Sequence, residues 1–162
     1  MVVEAEHIER ILSSVTDPEI PVLTIQDLGI YQGFNVVGSK IIVNITPTYT
    51  GCPAMDMISV NVKSAMQDAG FDDVEVKLVL SPVWSTDMMT AEGMAKLKEY
   101  GIAPPVEKTN DKSYIAGEKK VVPCPQCESS NTALVSQFGS TACKALYKCN
   151  TCLEPFDYFK CY

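Results

Sequence analysis

Four cysteines near the end of the chain form two CxxC pairs that are suited to bind one metal ion. The pairs are Cys124-Pro-Gln-Cys127 and Cys149-Asn-Thr-Cys152, with 21 residues between them. A CxxC loop turns back tightly enough to direct two thiolates at one point, and zinc accepts four sulfurs in a tetrahedron at about 2.3 Å. The single histidine, His7, lies near the other end of the chain. The site is therefore predicted to be all-cysteine, and with no position left for substrate it is expected to be structural.

Two other interpretations of the CxxC pairs fit less well. Two disulfides would suit a secreted module, whereas a redox CxxC of the thioredoxin kind needs only one pair and a βαβ context. The doubled pair at this spacing favours a four-cysteine zinc ribbon over residues 121–162.

Cys52 is the residue best placed for reactive chemistry. It lies in Thr48-Tyr-Thr-Gly-Cys-Pro53, between a predicted strand and a predicted helix. Pro53 suits the first helical position, which puts Cys52 at or near the N-cap. Free backbone N–H groups and the helix dipole favour a thiolate there, and the hydroxyls of Thr48 and Thr50 can add hydrogen bonds. The alternative is a buried, inert cysteine.

The chain offers this thiol little help from an acid–base partner. His7 is the single candidate base, so a cysteine-hydrolase mechanism is disfavoured and ligation of a metal or cluster is favoured. Three acids near the loop could act with it, although such residues more often stop helices and form turns: Asp17, Glu19 and Asp27. Trp84 either lines the Cys52 site or packs in the core.

Two further thiols lie within the predicted ribbon but outside its CxxC pairs. Cys143 and Cys161 are either spare ligands, a second thiol site or packing residues, and the sequence by itself favours packing.

Composition restricts the class of protein. The chain has 162 residues and a net charge of −7, and residues 1–100 carry 6 Lys/Arg against 14 Asp/Glu, a net of −8. An acidic body repels phosphate backbones, so no nucleic-acid partner is expected. There is no apolar run of membrane-spanning length, so no membrane association is expected either. An odd number of cysteines and no apolar leader favour reduced thiols in the cytoplasm.

Hydrophobic periodicity predicts a small α/β (α+β) domain with a mixed sheet in the order α-β-β-α-β-α, over residues 1–102. A polar linker is predicted over 103–120, followed by the β zinc ribbon. The predicted elements are helices near 4–15, after Pro53 as far as Gly70, and 91–100, and strands at 30–37, 40–46, 74–80, 132–138, 143–149 and 155–160.

Longer motifs then carry a family resemblance. Asp17-Pro-Glu-Ile-Pro-Val-Leu-Thr-Ile-Gln-Asp-Leu-Gly-Ile30, with Thr48–Pro53 downstream, resembles the small domain of iron–sulfur cluster assembly factors, including the SufT-like proteins. The runs 138–149 and 154–161 resemble the PaaD family of phenylacetate degradation, which is associated with the ring-1,2-phenylacetyl-CoA epoxidase. The resemblance covers nearly the whole chain apart from 103–120. It implies that Cys52 is the family's functional cysteine, that Asp17, Glu19 and Asp27 belong to the signature surface, and that Cys143 and Cys161 belong to the subfamily pattern.

The resemblance implies an accessory, non-catalytic role in the epoxidase system. One histidine cannot supply the two Glu-x-x-His motifs of a di-iron site. The resemblance implies instead that the protein assembles or transfers an iron–sulfur cluster through Cys52, with the ferredoxin-type reductase component as recipient. Such clusters take about four ligands, so Cys52 needs a homodimer mate, small thiols or a partner protein. The alternatives are a structural or docking subunit that uses the ribbon to bind other epoxidase subunits, and a thiol-dependent enzyme, which lacks a base.

Overall fold

The computed structural model describes residues 2–106 and 121–160. The chain divides into two compact units. The first comprises Met1–Trp84 with Met88–Gly93, and the second comprises Ser85–Asp87 with Met94–Tyr162. The predicted domain bounds, 1–102 and 121–162, differ from these units, because most of the third helix belongs to the second one.

The first unit is built on a three-stranded mixed sheet, as the sequence predicts. Its elements are α1 (Val2–Leu12), β1 (Tyr31–Val37), β2 (Lys40–Ile45), α2 (Ala54–Asp68) and β3 (Val74–Leu78). The strand order is β1-β2-β3, with β1 antiparallel and β3 parallel to β2. The central strand β2 buries Ile41, Val43 and Ile45 and turns the residues between them outward. This alternation fixes which face of the sheet the helices cover.

The helices bury the residues that periodicity selects. Ile8 and Leu12 of α1 and Ile58, Val62 and Met66 of α2 are at most 1% exposed. The helix α1 ends at Leu12, earlier than the predicted 4–15. The hydroxyls of the two serines that follow, Ser13 and Ser14, donate to the carbonyls of Arg10 and Ile11, and such local bonds compete with continued helix.

The second unit contains a four-stranded sheet. After a 3₁₀ turn at Thr86–Met88 and α3 (Ala91–Glu99) come β4 (Ile102–Ala103), β5 (Thr132–Ser136), β6 (Lys144–Cys149) and β7 (Pro155–Phe159). The order is β4-β7-β6-β5, with β4 parallel to β7 and the other pairs antiparallel. Its core stacks Tyr147 on Phe156 and sets Tyr147 edge-on to Tyr158, with ring centroids 5.8 and 5.6 Å apart.

The predicted linker, 103–120, begins inside β4. Ala103 pairs with Tyr158 and is 1% exposed, so it belongs to the second sheet and its core. Residues 107–120 lie outside the described part of the chain. Among the described residues, every helix is too short or too polar to span a membrane.

Candidate functional site

Three loops that carry predicted site residues meet at one end of the first sheet. The parallel strands β2 and β3 finish at the same edge, and antiparallel β1 begins there. Backbone bonds join the loops at this edge: Thr46 N donates to Ile30 O and Val79 N to Ile45 O, both at 2.8 Å. The segments 13–30, 46–53 and 79–84 therefore bring Asp17, Asp27, Cys52 and Trp84 to one end of the unit.

Cys52 follows the central strand by seven residues and lies half-buried two residues before α2. Its N–H donates to Tyr49 O and its carbonyl accepts from Met55 N, both at 3.3 Å. Gly51, at φ +78°, makes the left-handed turn into this position. Pro53 is the N-cap residue and not the first helical residue, so α2 begins one residue later than predicted. Pro53 makes no side-chain hydrogen bond to cap the helix. Cys52 thus precedes the first turn of α2, and its carbonyl accepts one of the N–H groups of that turn.

His7 is remote from this thiol. It is exposed on α1, and its ring centroid lies 5.9 Å from that of Phe71, just beyond the C-terminal end of α2. Cys52 precedes the other end of that 15-residue helix, which is about 22 Å long at 1.5 Å per residue. The one histidine in the chain therefore cannot act as the base of Cys52 in this conformation.

Asp17 builds the turn that follows α1. The side chain is buried, and its Oδ1 accepts from Glu19 N at 2.7 Å and from Ile20 N at 2.8 Å. The Asp17 N–H donates to Leu23 O at 2.9 Å. Asp17 therefore forms a turn within residues 17–23, as acids beside such loops more often do.

Asp27 is likewise buried and forms hydrogen bonds with two threonines. Its Oδ2 accepts from Thr24 N at 3.1 Å while Thr24 Oγ1 accepts from Asp27 N at 3.0 Å. Thr90 Oγ1 donates to Asp27 Oδ1 at 3.2 Å, and Thr90 N donates to Asp27 O at 3.0 Å. A Cβ on Gly93 would come within 2.9 Å of Asp27 Cβ, so glycine is required at this close approach.

The remaining predicted residues at this end differ in exposure. Trp84 is 2% exposed, and its Nε1 donates to Leu28 O at 2.8 Å, so it packs in the core and ties the segment after β3 to the segment before β1. Glu19 is half-buried, and Thr50 is exposed in the loop that leads to Cys52.

The four CxxC cysteines come together in the second unit. Their sulfur atoms all lie within 4.8 Å of one another. Two of the separations are 3.7 Å, between Cys124 and Cys152, and 3.5 Å, between Cys127 and Cys149. The sulfurs of a tetrahedral zinc with bonds of 2.3 Å are about 3.8 Å apart. The cluster is therefore a metal-binding group whose spacing suits zinc.

Both CxxC loops end in the same backbone conformation. Glu128 and Leu153, each directly after the second cysteine of its pair, have φ of +61° and +68°. The left-handed residue turns the chain back, and Glu128 N donates to Cys124 O at 2.9 Å. In the second loop, the N–H groups of Cys152 and Thr151 donate to Cys149 Sγ. These bonds lower the pKa of Cys149 to about 6, against the opposing effect of burial.

Cys143 lies apart from the metal cluster. It is 7% exposed directly before β6, with Sγ 3.0 Å from Thr141 Oγ1, and its carbonyl accepts from Lys160 N at 2.9 Å. Cys161 is outside the described residues.

Sequence reasoning missed the partners of the buried aspartates. Thr24 and Thr90 form hydrogen bonds with Asp27, and the three-residue spacing Thr24–Asp27 is the one signal that could have indicated the first of them. Thr90 is 63 residues away along the chain, and no local pattern points to it.

Comparisons with known proteins agree with both halves of this architecture. A family model described as "Iron-sulfur cluster assembly protein" matches residues 5–78, and one described as "PaaD zinc beta ribbon domain" matches residues 108–160. A protein of Escherichia coli (strain K12), named as one of the subunits of a "Putative 1,2-phenylacetyl-CoA epoxidase", is 48% identical over 158 residues, covering 98% of this chain and 93% of that protein.

Two further relatives resemble the first unit. A "Fe-S protein maturation auxiliary factor" of Porphyromonas gingivalis (strain ATCC BAA-308 / W83) is 41% identical over 95 residues, covering 57% of this chain and 89% of that protein. A crystal structure from Bacillus anthracis, of a domain of unknown function called DUF59, shares the fold with a TM-score of 0.54 at 24% identity, covering 59% of this chain and 92% of that one. Because the Escherichia coli relative is 48% identical over 98% of this chain, and the PaaD ribbon model matches residues 108–160, the chain belongs to the PaaD family.

Proposed function

We propose that this protein is a non-catalytic accessory factor of a phenylacetyl-CoA epoxidase system, acting in the cytoplasm to assemble or transfer an iron–sulfur cluster through Cys52. The position of Cys52 carries the proposal: a half-buried thiol before a helix N-terminus, at the sheet end where the signature loops meet. The family match of this unit supports iron–sulfur cluster assembly as the process, and the name of the Escherichia coli relative supports the epoxidase as the system.

The surroundings of Cys52 favour ligand exchange over turnover. Cysteine sulfur is a soft ligand for iron, and in this conformation the distant His7 cannot serve Cys52 as a base. Asp17 and Asp27 are engaged in local turns, so their role in the proposal is to hold the loops around the thiol. Glu19 and Thr50, half-buried and exposed respectively at the same end, complete the proposed site.

We propose the ferredoxin-type reductase component of the epoxidase as recipient, and the four-cysteine group as a structural zinc site. A zinc that is held by four cysteines has no open position for cargo. The iron–sulfur cluster would therefore pass through the first unit while the ribbon keeps its zinc ion.

The test is the iron and acid-labile sulfide content of the reductase isolated from wild-type, deletion and Cys52→Ser strains. We expect a depleted cluster in the deletion and Cys52→Ser strains, because serine replaces the soft sulfur with little change in volume. Unfolding midpoints of the purified variant and wild type provide the control for folding. A fully loaded reductase in the deletion strain would contradict the proposal.

A second function is favoured by the ribbon's edge strand. Residues 129–143 carry no charged side chain, and Leu134 and Val135 of β5 are 50% and 58% exposed, whereas Phe138 beside the strand has the Lys160 ammonium 4.3 Å from its ring centroid. Natural edge strands are commonly protected by charge, so an uncharged one suits protein contact. Under this docking role, Cys52→Ser would leave reductase loading unchanged, whereas Leu134→Lys would release the protein from the epoxidase complex.

A further inference from the structure

Large apolar side chains are exposed around the end of the first unit that carries Cys52. The group, here called the apolar collar, consists of Met57, Val60, Leu78, Leu80 and Val83, which are 50–79% exposed. Single exposed apolar residues are ordinary on protein surfaces, but several at one place mark an interaction site.

The topology explains why the collar and Cys52 share this end. Because β2 and β3 are parallel, the connecting helix α2 must run in the opposite direction to both strands. Its first turns therefore lie beside the carboxyl end of β3. The helix packs against β3. Met57 and Val60 stand on the outward side of α2, away from the buried stripe that contains Ile58 and Val62. Leu78 ends β3, and the two other collar residues follow it.

The other end of the sheet provides an internal comparison. Among the described residues of the first unit, the remaining exposed large apolar side chains are Val36 and Val37, at 56% and 63%. They end β1 at the hairpin turn to β2, opposite the edge where β1 begins beside Ile45. Residues of the same exposure and chemistry are thus present far from Cys52.

The identity of the collar's occupant follows from ligand count and charge. Cys52 is the single cysteine in residues 1–123, and a cluster takes about four ligands, so the others must come from outside this unit. A second copy would bring together two regions of net charge −8, residues 1–100, which repel each other. Asp56, exposed in the first turn of α2 next to Met57, favours a partner with cationic groups.

We propose that the apolar collar docks the iron–sulfur protein that receives the cluster, through an apolar face of that protein bordered by Lys or Arg. The proposal rests on the proposed function and assigns its partner-binding surface. Apolar contact would supply most of the affinity, and the acidic chain would accelerate and orient the encounter.

The test measures binding of the purified apo-form of the epoxidase reductase to the zinc-loaded full chain. We expect the double variant Met57→Ser/Leu80→Ser to raise the Kd at least tenfold. The matched control, Val36→Ser/Val37→Ser at the far end of the sheet, should stay within twofold of wild type. Both should keep the unfolding midpoint, since all four side chains are at least half exposed. Asp56→Lys should weaken binding at low salt and reduce its salt dependence.

An assay of iron–sulfur cluster transfer to the reductase distinguishes the docking proposal from the proposed function of Cys52. Cys52→Ser should bind the reductase normally and fail to transfer, whereas the collar variant should transfer slowly because it binds weakly. Wild-type protein that does not bind, or collar variants that bind as wild type does, would overturn the docking proposal. A dimer seen by sedimentation and dissociated by the collar substitutions would overturn it in favour of a second copy. Normal transfer by Cys52→Ser would instead contradict the proposed function.

Discussion

At the scale of single residues, the environment of Cys52 differs from that of every other described cysteine. It is half-buried before a helix, while Cys143 is 7% exposed before a strand and the other four are grouped around one point. Access and a helix N-terminus both promote thiolate reactivity, and burial suppresses it. The buried Cys143 can therefore serve as a control for the more accessible Cys52 within one chain.

We predict that an alkylating agent at neutral pH modifies Cys52 faster than any other thiol outside the metal cluster. Peptide mapping after brief exposure of the zinc-loaded protein to iodoacetamide measures the order of modification. Cys143 serves as the internal control, and modification of Cys52 should lead by at least tenfold. Equal or faster labelling of Cys143 would show that the loop before α2 does not present Cys52 as the structure has it.

At the scale of elements, the segment between α1 and β1 depends on buried carboxylates rather than on regular structure. One oxygen of Asp17 accepts two backbone N–H groups, and the isolated bridge from Thr16 to Thr24 closes the loop above them. Removing a buried acceptor leaves its donors unsatisfied, at a cost of about 1–3 kcal/mol for each. The turn formed by Asp17 is thus a structural requirement for the Cys52 site, whatever the negative charge of Asp17 contributes.

We predict that Asp17→Ala lowers the free energy of unfolding by about 2–4 kcal/mol, whereas Asp17→Asn stays within about 1 kcal/mol of wild type. Asparagine keeps a side-chain oxygen in the same place and removes the charge. Urea unfolding followed by Trp84 fluorescence gives both values, since Trp84 is the single tryptophan and lies in the same unit. If Asp17→Asn is as unstable as Asp17→Ala, the negative charge itself is needed.

Elements with a repeating pattern could be predicted from the sequence, and short or distant ones could not. The alternation of Ile41, Val43 and Ile45 predicts β2 and its buried face, and the structure confirms the mixed sheet. The two residues of β4 are too few to show any period, and their partner β7 lies more than 50 residues away. Pairing of that kind is decided by the packed core, which also determines that Ala103 belongs to the second sheet.

The two sites differ in the same way. The spacing of the CxxC pairs predicts where four sulfurs can meet, because the chemistry needs little beyond local turns. The left-handed conformation of Glu128 and Leu153 was not predictable, since glycine and asparagine are the usual residues there. Around Cys52, local signals predict the helix and the loop, but the collar depends on which strands are parallel. Residues 57 and 80 are brought to one end only by the topology of the sheet.

At the scale of the full chain, the two compact units separate the proposed chemistry from the proposed metal. The four cysteines of the zinc-binding group all belong to the second unit, and Cys52 belongs to the first. The ribbon core is small, with Tyr147, Phe156 and Tyr158 among its few large buried side chains. Metal binding commonly supplies much of the folding free energy of such a module. The first unit has a core of its own, in which Trp84 is 2% exposed.

We therefore predict that the purified chain contains about one zinc ion and that removing it unfolds the ribbon without unfolding the first unit. A strong chelator, or Cys124→Ser, should abolish the near-ultraviolet signal of the ribbon tyrosines, because the core around them loses its fixed packing. Emission from Trp84 should stay unshifted, since Trp84 is buried and its Nε1 donates to Leu28 O within the first unit. Re-addition of zinc after chelation should restore the tyrosine signal, and Cys143→Ser is the control for loss of a ribbon thiol outside the cluster. Protein prepared without chelator that lacks zinc would contradict the metal assignment. A red shift of the Trp84 emission on chelation would instead show that the first unit needs the ribbon in order to fold.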